Sequence, residues 1–144
     1  MAAGQVVPCR EWRELYAALD CGAVAAIHPF YTAAVREFED AGKPIIGSAP
    51  VGVEGTNSWI DSVGDTFNIA KKIIGETKQK ILPQIQKSLD DKKINNKITV
   101  SGYEGSELIV ARTLIEAGAE VPYVGTACPK TKWSTEDKDW LESR

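Results

Sequence analysis

The side chains in this sequence that can do chemistry near neutral pH gather at two turns. His28 is the only histidine of the chain. It closes the small apolar run "AVAAIH" and precedes "PFYTAAVREFEDAG". An imidazole titrates near neutrality, so it can donate a proton from that position. The plainer alternative is a packed turn residue bonded to backbone. Phe30 and Tyr31 follow directly and offer a stacking surface, although aromatic residues at a helix start also serve as core. Tyr103 and Glu104 stand between Gly102 and Gly105. They are expected at the exposed tip of a turn. Glu104 there is a proton donor if a partner buries it, and otherwise a solvated carboxylate. Cys9, Cys21 and Cys128 complete the set. Their spacing matches no zinc or iron–sulfur motif, so no metal ligand is assigned, and reduced thiols packed as small apolar groups account for them.

The elements that position these residues follow from periodicity. "ITVSGYEGSELIVARTLIEAGAEVPYVGTA", Ile98 to Ala127, reads as strand, glycine turn, helix and second strand. Ile98 and Val100 suit a buried strand. Leu108, Ile109, Ala111, Arg112 and Ile115 recur at helical spacing, and Gly118 suits the C-terminal cap. This is the layout of a nucleotide-binding βαβ unit, but the phosphate chemistry is missing. A dinucleotide site wants G-x-G-x-x-G, and the turn "SGYEGSE" supplies only G-x-x-G. It has no Walker lysine, and Glu104 brings negative charge to the place a phosphate would take. The second strand ends without an acidic residue for a ribose.

Upstream, "REWRELYAALD" places Trp12, Leu15, Tyr16 and Leu19 at helical spacing, with Gly22 as its stop. "AVAAIH" suits a buried parallel strand. Pro29 fits the first turn of the next helix, whose buried stripe is Ala34, Val35 and Phe38 and whose stop is Gly42. "KPIIGSAPVG" reads as a short strand entering a glycine–proline loop. Ser48 to Thr56 belongs to that loop, and Thr56 is the expected cap of a short helix carrying Trp59, Ile60 and Val63. Ile69, Ile73, Ile74, Ile81, Ile85 and Leu89 mark one face of a long amphipathic helix, which Pro83 should bend or split. Its lysines read as a solvated face. Ser134 is the expected cap of a last helix with Glu136 and Asp137 in its first turn. Trp133 and Trp140, near the end, are expected to lack covering neighbours.

Each βαβ unit supplies about two parallel strands, fewer than the five or so of an ordinary sheet. The expectation is therefore a piece of a larger α/β protein, or two halves sharing one sheet. Its 144 residues allow one domain with a real core. A net charge of −3 argues against a nucleic-acid surface. No apolar run reaches the length of a membrane span and "MAAGQVVPC" is no signal peptide, which together point to a cytoplasmic chain.

Two long stretches, "LDCGAVAAIHPFYTAAVREFEDAGKPIIGSAPVGVEGT" and "ITVSGYEGSELIVARTLIEAGAEVPYVGTACPKTKWS", closely resemble the Y subunits of chlorophyllide a reductases. These belong to the nitrogenase-like, dark-operative reductases. The resemblance covers nearly the whole chain and is weakest over Phe67 to Asn96. It implies a Rossmann-like, three-layer α/β fold with parallel strands and flanking helices. It implies parts of two such domains: residues 1–68 as the end of one, 69–97 as a connecting long helix, and 98–144 as the first βαβ of the next. It implies pairing with subunit Z, electrons from an ATP-hydrolysing iron protein (subunit X), a 4Fe–4S cluster at the Y–Z interface, and reduction of a ring-B double bond of chlorophyllide a. No cofactor is expected in this chain itself, because the family's cluster cysteines lie in an amino-terminal domain that it does not match. With a tetrapyrrole as substrate, His28 becomes the candidate catalytic proton donor. Tyr31, Tyr103 and Glu104 become candidate substrate contacts. The isolated chain is expected to be inactive and to self-associate.

Two other readings stand beside it. Nitrogenase relatives include non-enzymatic cofactor-assembly scaffolds, whose "G-I-E-D-T" loop resembles Gly52 to Thr56 here. A free-standing small-ligand α/β module is the other, and the shortage of strands counts against it.

Overall fold

A computed structural model describes residues 17–28, 32–132 and 134–144. The expected first helix with Trp12, Leu15 and Tyr16, together with Cys9, Pro29, Phe30, Tyr31 and Trp133, lies outside the described residues. The chain is mixed α/β. A 3-10 turn, Ala17–Asp20, leads to β1, Val24–Ala25, then helix α1, Thr32–Asp40, and β2, Ile45–Ile46. Helices α2, Gly52–Thr66, and α3, Lys71–Asp90, follow. Then come β3, Lys97–Ser101, α4, Glu107–Glu116, β4, Glu120–Gly125, and α5, Thr135–Glu142.

Among the described residues two parallel two-stranded sheets form, β1 with β2 and β3 with β4. Each connection carries a helix, as a parallel crossover requires. In the second sheet Lys97 pairs with Glu120, but Thr99 pairs with Tyr123, so β4 holds one extra residue. Pro122 lies in that interval, and its missing N–H cannot join a ladder. Helix α4 turns Leu108 and Ala111 inward, 2% and 0% exposed, beside buried Val100 of β3. It ends in a Schellman motif. Gly118 takes φ +96°, its N–H donates to Ile115 O at 2.9 Å, and Ala119 N–H donates to Leu114 O at 2.9 Å. Gly42 ends α1 in the same way, with Lys43 N–H donating to Phe38 O at 2.9 Å.

Four details depart from the sequence reading. Helix α2 begins at Gly52, so "GVEGT" is its first turn rather than a loop, and Thr56 is a buried interior residue with an unpaired hydroxyl instead of a cap. Pro83 lies inside an unbroken α3. Its ring and Gln79, whose carbonyl loses a donor, are both exposed, so water can take the vacant bond. Ser134 occupies the N-cap position of α5, but its hydroxyl points backward: it donates to Pro129 O at 2.9 Å and accepts from Thr131 N–H at 3.0 Å. In α1 only Val35 is buried; Phe38 is half-buried and Ala34 exposed.

Helix α3 buries no residue completely. It packs on α2, where Ile74 Cδ1 would lie 2.8 Å from a Cβ placed on Gly64. Ile73 and Ile81 stay exposed. Among the described residues no helix is long and apolar enough to cross a membrane.

Candidate functional site

The expected residues sit at the carboxyl ends of parallel strands. His28 is half-buried in the bend after β1. Tyr103 and Glu104 lie in the turn after β3, and Tyr103 is 85% exposed, so this tip projects as expected. The two turns belong to separate sheets. Tyr31 lies outside the described residues.

The β3–α4 turn is closed by a residue that the sequence reading passed over. Glu107, the first residue of α4, is 5% exposed. Its Oε1 accepts from Glu104 N–H at 2.9 Å, and its Oε2 accepts from the Thr126 hydroxyl at 2.9 Å. Burial pushes this carboxyl up. Hydrogen bonds from the Glu104, Glu107 and Gly105 N–H groups and the Thr126 hydroxyl outweigh it and hold the group below its ordinary value. Both glycines of G-x-x-G are thereby accounted for. A Cβ on Gly102 would come within 2.4 Å of Glu107 Oε1, and Gly105 takes φ +83°. The carboxylate therefore occupies the seat at the helix N-terminus that a phosphate takes in nucleotide-binding turns. The missed signal was a reach-back of three residues from Glu107 to Glu104 N–H, as in a capping box, disguised because residue 104 is Glu rather than Ser or Thr.

The other strand-to-helix turn, from β2 into α2, carries the same device. Val53 N–H donates to Glu116 Oε2, a carboxylate delivered from the far end of α4. Gly52 takes φ +63°, and a Cβ there would meet that carboxyl group at 2.2 Å. Glu116 thus caps α2 in place of the expected Thr56.

Behind Glu116 lies a buried polar cluster. Arg112 Nη1 donates to Asp137 Oδ1 at 2.8 Å, and Arg112 Nε lies 3.5 Å from Glu116 Oε1. Its guanidinium stacks on Trp140, 4.6 Å from the ring centroid. Burial raises the Asp137 carboxyl above its ordinary value, against the pull of the Arg112 hydrogen bond and charge. Trp140 Nε1 donates to Glu54 Oε2 at 2.6 Å, and Arg144 Nη2 lies 2.9 Å from both Glu54 oxygens. The indole N–H, ahead of Arg144, holds the Glu54 carboxyl low. Trp140, expected to lack neighbours, is thus covered, and these contacts tie α5 to both α4 and α2.

Among the described residues no three His, Cys, Asp or Glu side chains converge on a metal position. Cys128 is buried, and burial pushes its thiol up, away from the thiolate that a cluster needs. The described residues do not fit a 4Fe–4S cluster.

Parallel strands joined through helices, with a glutamate carboxylate at each strand-to-helix turn, define a Rossmann-type α/β chain. Residues 3–144 match the model of the nitrogenase component 1 type oxidoreductases, and the chain belongs to that family. It is 60% identical over all 144 residues to the chlorophyllide reductase 52.5 kDa chain of Cereibacter sphaeroides, covering 29% of that protein. It is 58% identical to the chain of the same name from Rhodobacter capsulatus, again over its whole length and 29% of the relative. A light-independent protochlorophyllide reductase subunit N of Prochlorococcus marinus is 28% identical over 108 residues, 72% of this chain and 26% of that one. The chain spans under a third of the length of these curated relatives.

Proposed function

We propose that this chain is part of a chlorophyllide a reductase subunit, the Y subunit of the complex. The observation that carries the reading is the 60% identity to a chlorophyllide reductase chain without a break in coverage of this sequence. In this reading residues 1–68 end one Rossmann-like domain, 69–97 connect, and 98–144 open the next. The subunit pairs with subunit Z in the cytoplasm. Two electrons, supplied by the ATP-dependent iron protein X through a 4Fe–4S cluster, and two protons reduce a ring-B double bond of chlorophyllide a. Ligands for that cluster come from outside the described residues.

The part played by this chain's own residues is placement and proton supply. His28, at the carboxyl end of a parallel strand, stands where α/β folds gather their ligands, and an imidazole can serve there as a proton donor. Tyr103 presents an exposed ring to a flat partner or pigment, and Glu104 beside it gains proton-donor character when that contact buries it. Tyr31, three residues after His28 in the sequence, is the second aromatic candidate for a substrate contact. ATP is hydrolysed on the iron protein, which suits an α/β chain whose own anion seats are occupied.

The scaffold alternative rests on the likeness of Gly52 to Thr56 to a loop of assembly proteins. In the structure that segment is helical and capped by Glu116. Disrupting the gene that carries this chain in its source cells tests the choice. Accumulated chlorophyllide a and lost bacteriochlorophyll support the reductase reading. Unchanged pigments with a defect in metal-cluster assembly support the scaffold.

A further inference from the structure

We propose that Glu107 and Glu116 are resident anions, substituted for the phosphate of a ligand, and that they close both strand-to-helix turns of this chain to nucleotides. Two independent sites carry the inference. At the β3–α4 turn a carboxylate that is 5% exposed collects the Glu104 N–H and the Thr126 hydroxyl, each at 2.9 Å. At the β2–α2 turn a carboxylate from an element 63 residues away takes the Val53 N–H. In each turn the carboxyl group lies over a glycine, and a Cβ would meet it at 2.4 Å for Gly102 and 2.2 Å for Gly52. The cradle geometry of a phosphate turn is therefore retained: N–H groups that donate to an anion, a positive helix end, and glycines that let an anion approach. Its occupant has become covalent and permanent. The inference stands apart from the reductase reading, since it concerns only what these turns hold.

One consequence sets this apart from a simple loss of phosphate binding. Removing the carboxylate should restore an anion site. In Glu107→Ala the side chain that plugged the turn is gone while the donors remain. The probe is inorganic sulfate against sodium chloride at matched ionic strength, read by the thermal midpoint of the intact chain. Wild type run in parallel subtracts the general stabilising effect of sulfate. The expected result is a saturable, sulfate-specific rise of about 3 °C or more in Glu107→Ala beyond any rise in wild type. Glu107→Ala that folds only with sulfate present supports the proposal equally. A variant that responds no more than wild type overturns it. Should the variant fail to fold under both salts, the wild-type chain decides. Its Glu104 and Gly105 amide resonances should stay unmoved by inorganic phosphate, and a saturable shift of those two signals would overturn the proposal.

Discussion

Arg112 and Asp137 meet through a 2.8 Å hydrogen bond between side chains that are only 3% and 8% exposed. The bond joins α4 to the first turn of α5. The backbone of Ala49, in the loop after β2, also favours the ionised Asp137 carboxyl. Three elements converge on one carboxylate. Asp137→Ala leaves Arg112 buried with only Glu116, at 3.5 Å, to balance it. Removing one partner of such a pair costs about 3 kcal/mol. Urea denaturation of wild type and variant measures it. Lys130→Ala, which removes only the exposed pair with Asp139, should leave stability close to wild type.

Acid should reach the exposed carboxylates before it reaches Glu107. Its folded-state value lies below the ordinary 4.5, so its stabilising contribution is complete above pH 4.5 and is lost as the pH falls through the depressed value. Asp137 has the opposite sign. Burial raises it, so its titration favours the folded state below its ordinary 3.8 and loses that contribution as pH rises through the raised value. Glu107→Gln should therefore flatten the fall in stability below pH 4.5, while leaving the profile between pH 6 and 8 parallel to wild type. Denaturation midpoints across that range read the difference, and two profiles that stay parallel down to acid would refute the internal-anion role.

Apolar surface left open on α3 predicts self-association. Ile73 is 54% exposed and Ile81 37%. Ile81, Ile85, Leu89, Ile94 and Ala117 line an open groove of about 640 Å³ between α3 and α4. Among the described residues each sheet has two strands, whose outer edges carry no further strand. Sedimentation of the isolated chain should show concentration-dependent oligomers. Ile81→Lys should shift them toward monomer, whereas a clean wild-type monomer at high concentration would contradict the reading.

How much of this was legible beforehand depends on where the partners lie along the chain. The strands around Val24, Ile45, Val100 and Val124, the stripe of Leu108 and Ala111, and the stops at Gly42 and Gly118 all follow from local pattern, and the structure has each of them. The exposed tip at Tyr103 was legible for the same reason. Thr56 misled because the start of α2 is fixed by Glu116, 63 residues away, and no local rule sees that carboxylate. Arg112 reads only as part of the helical stripe of α4 and Asp137 only as a first-turn acid of α5; their pairing spans 25 residues and two elements, beyond any local pattern. Pro83 misled in the other direction: its lost hydrogen bond falls on an exposed face, so the helix continues.

For the candidate proton donor, a split between activity and folding is the test. In the complete enzyme His28→Ala should lower turnover by about tenfold or more, the lower range for losing an acid–base group, while the thermal midpoint stays near wild type. A parallel fall in both would make His28 a packing residue. Full turnover would remove it from the chemistry.

The most direct measurement is turnover by the whole subunit that contains this chain, reconstituted without oxygen with its partner subunit, the iron protein, ATP and a reductant. Membership in a chlorophyllide a reductase predicts ATP-dependent conversion of chlorophyllide a to the ring-B-reduced pigment, lost when this subunit is omitted. Conversion that proceeds equally well without this subunit, or none from a complete complex whose iron protein hydrolyses ATP, would contradict it.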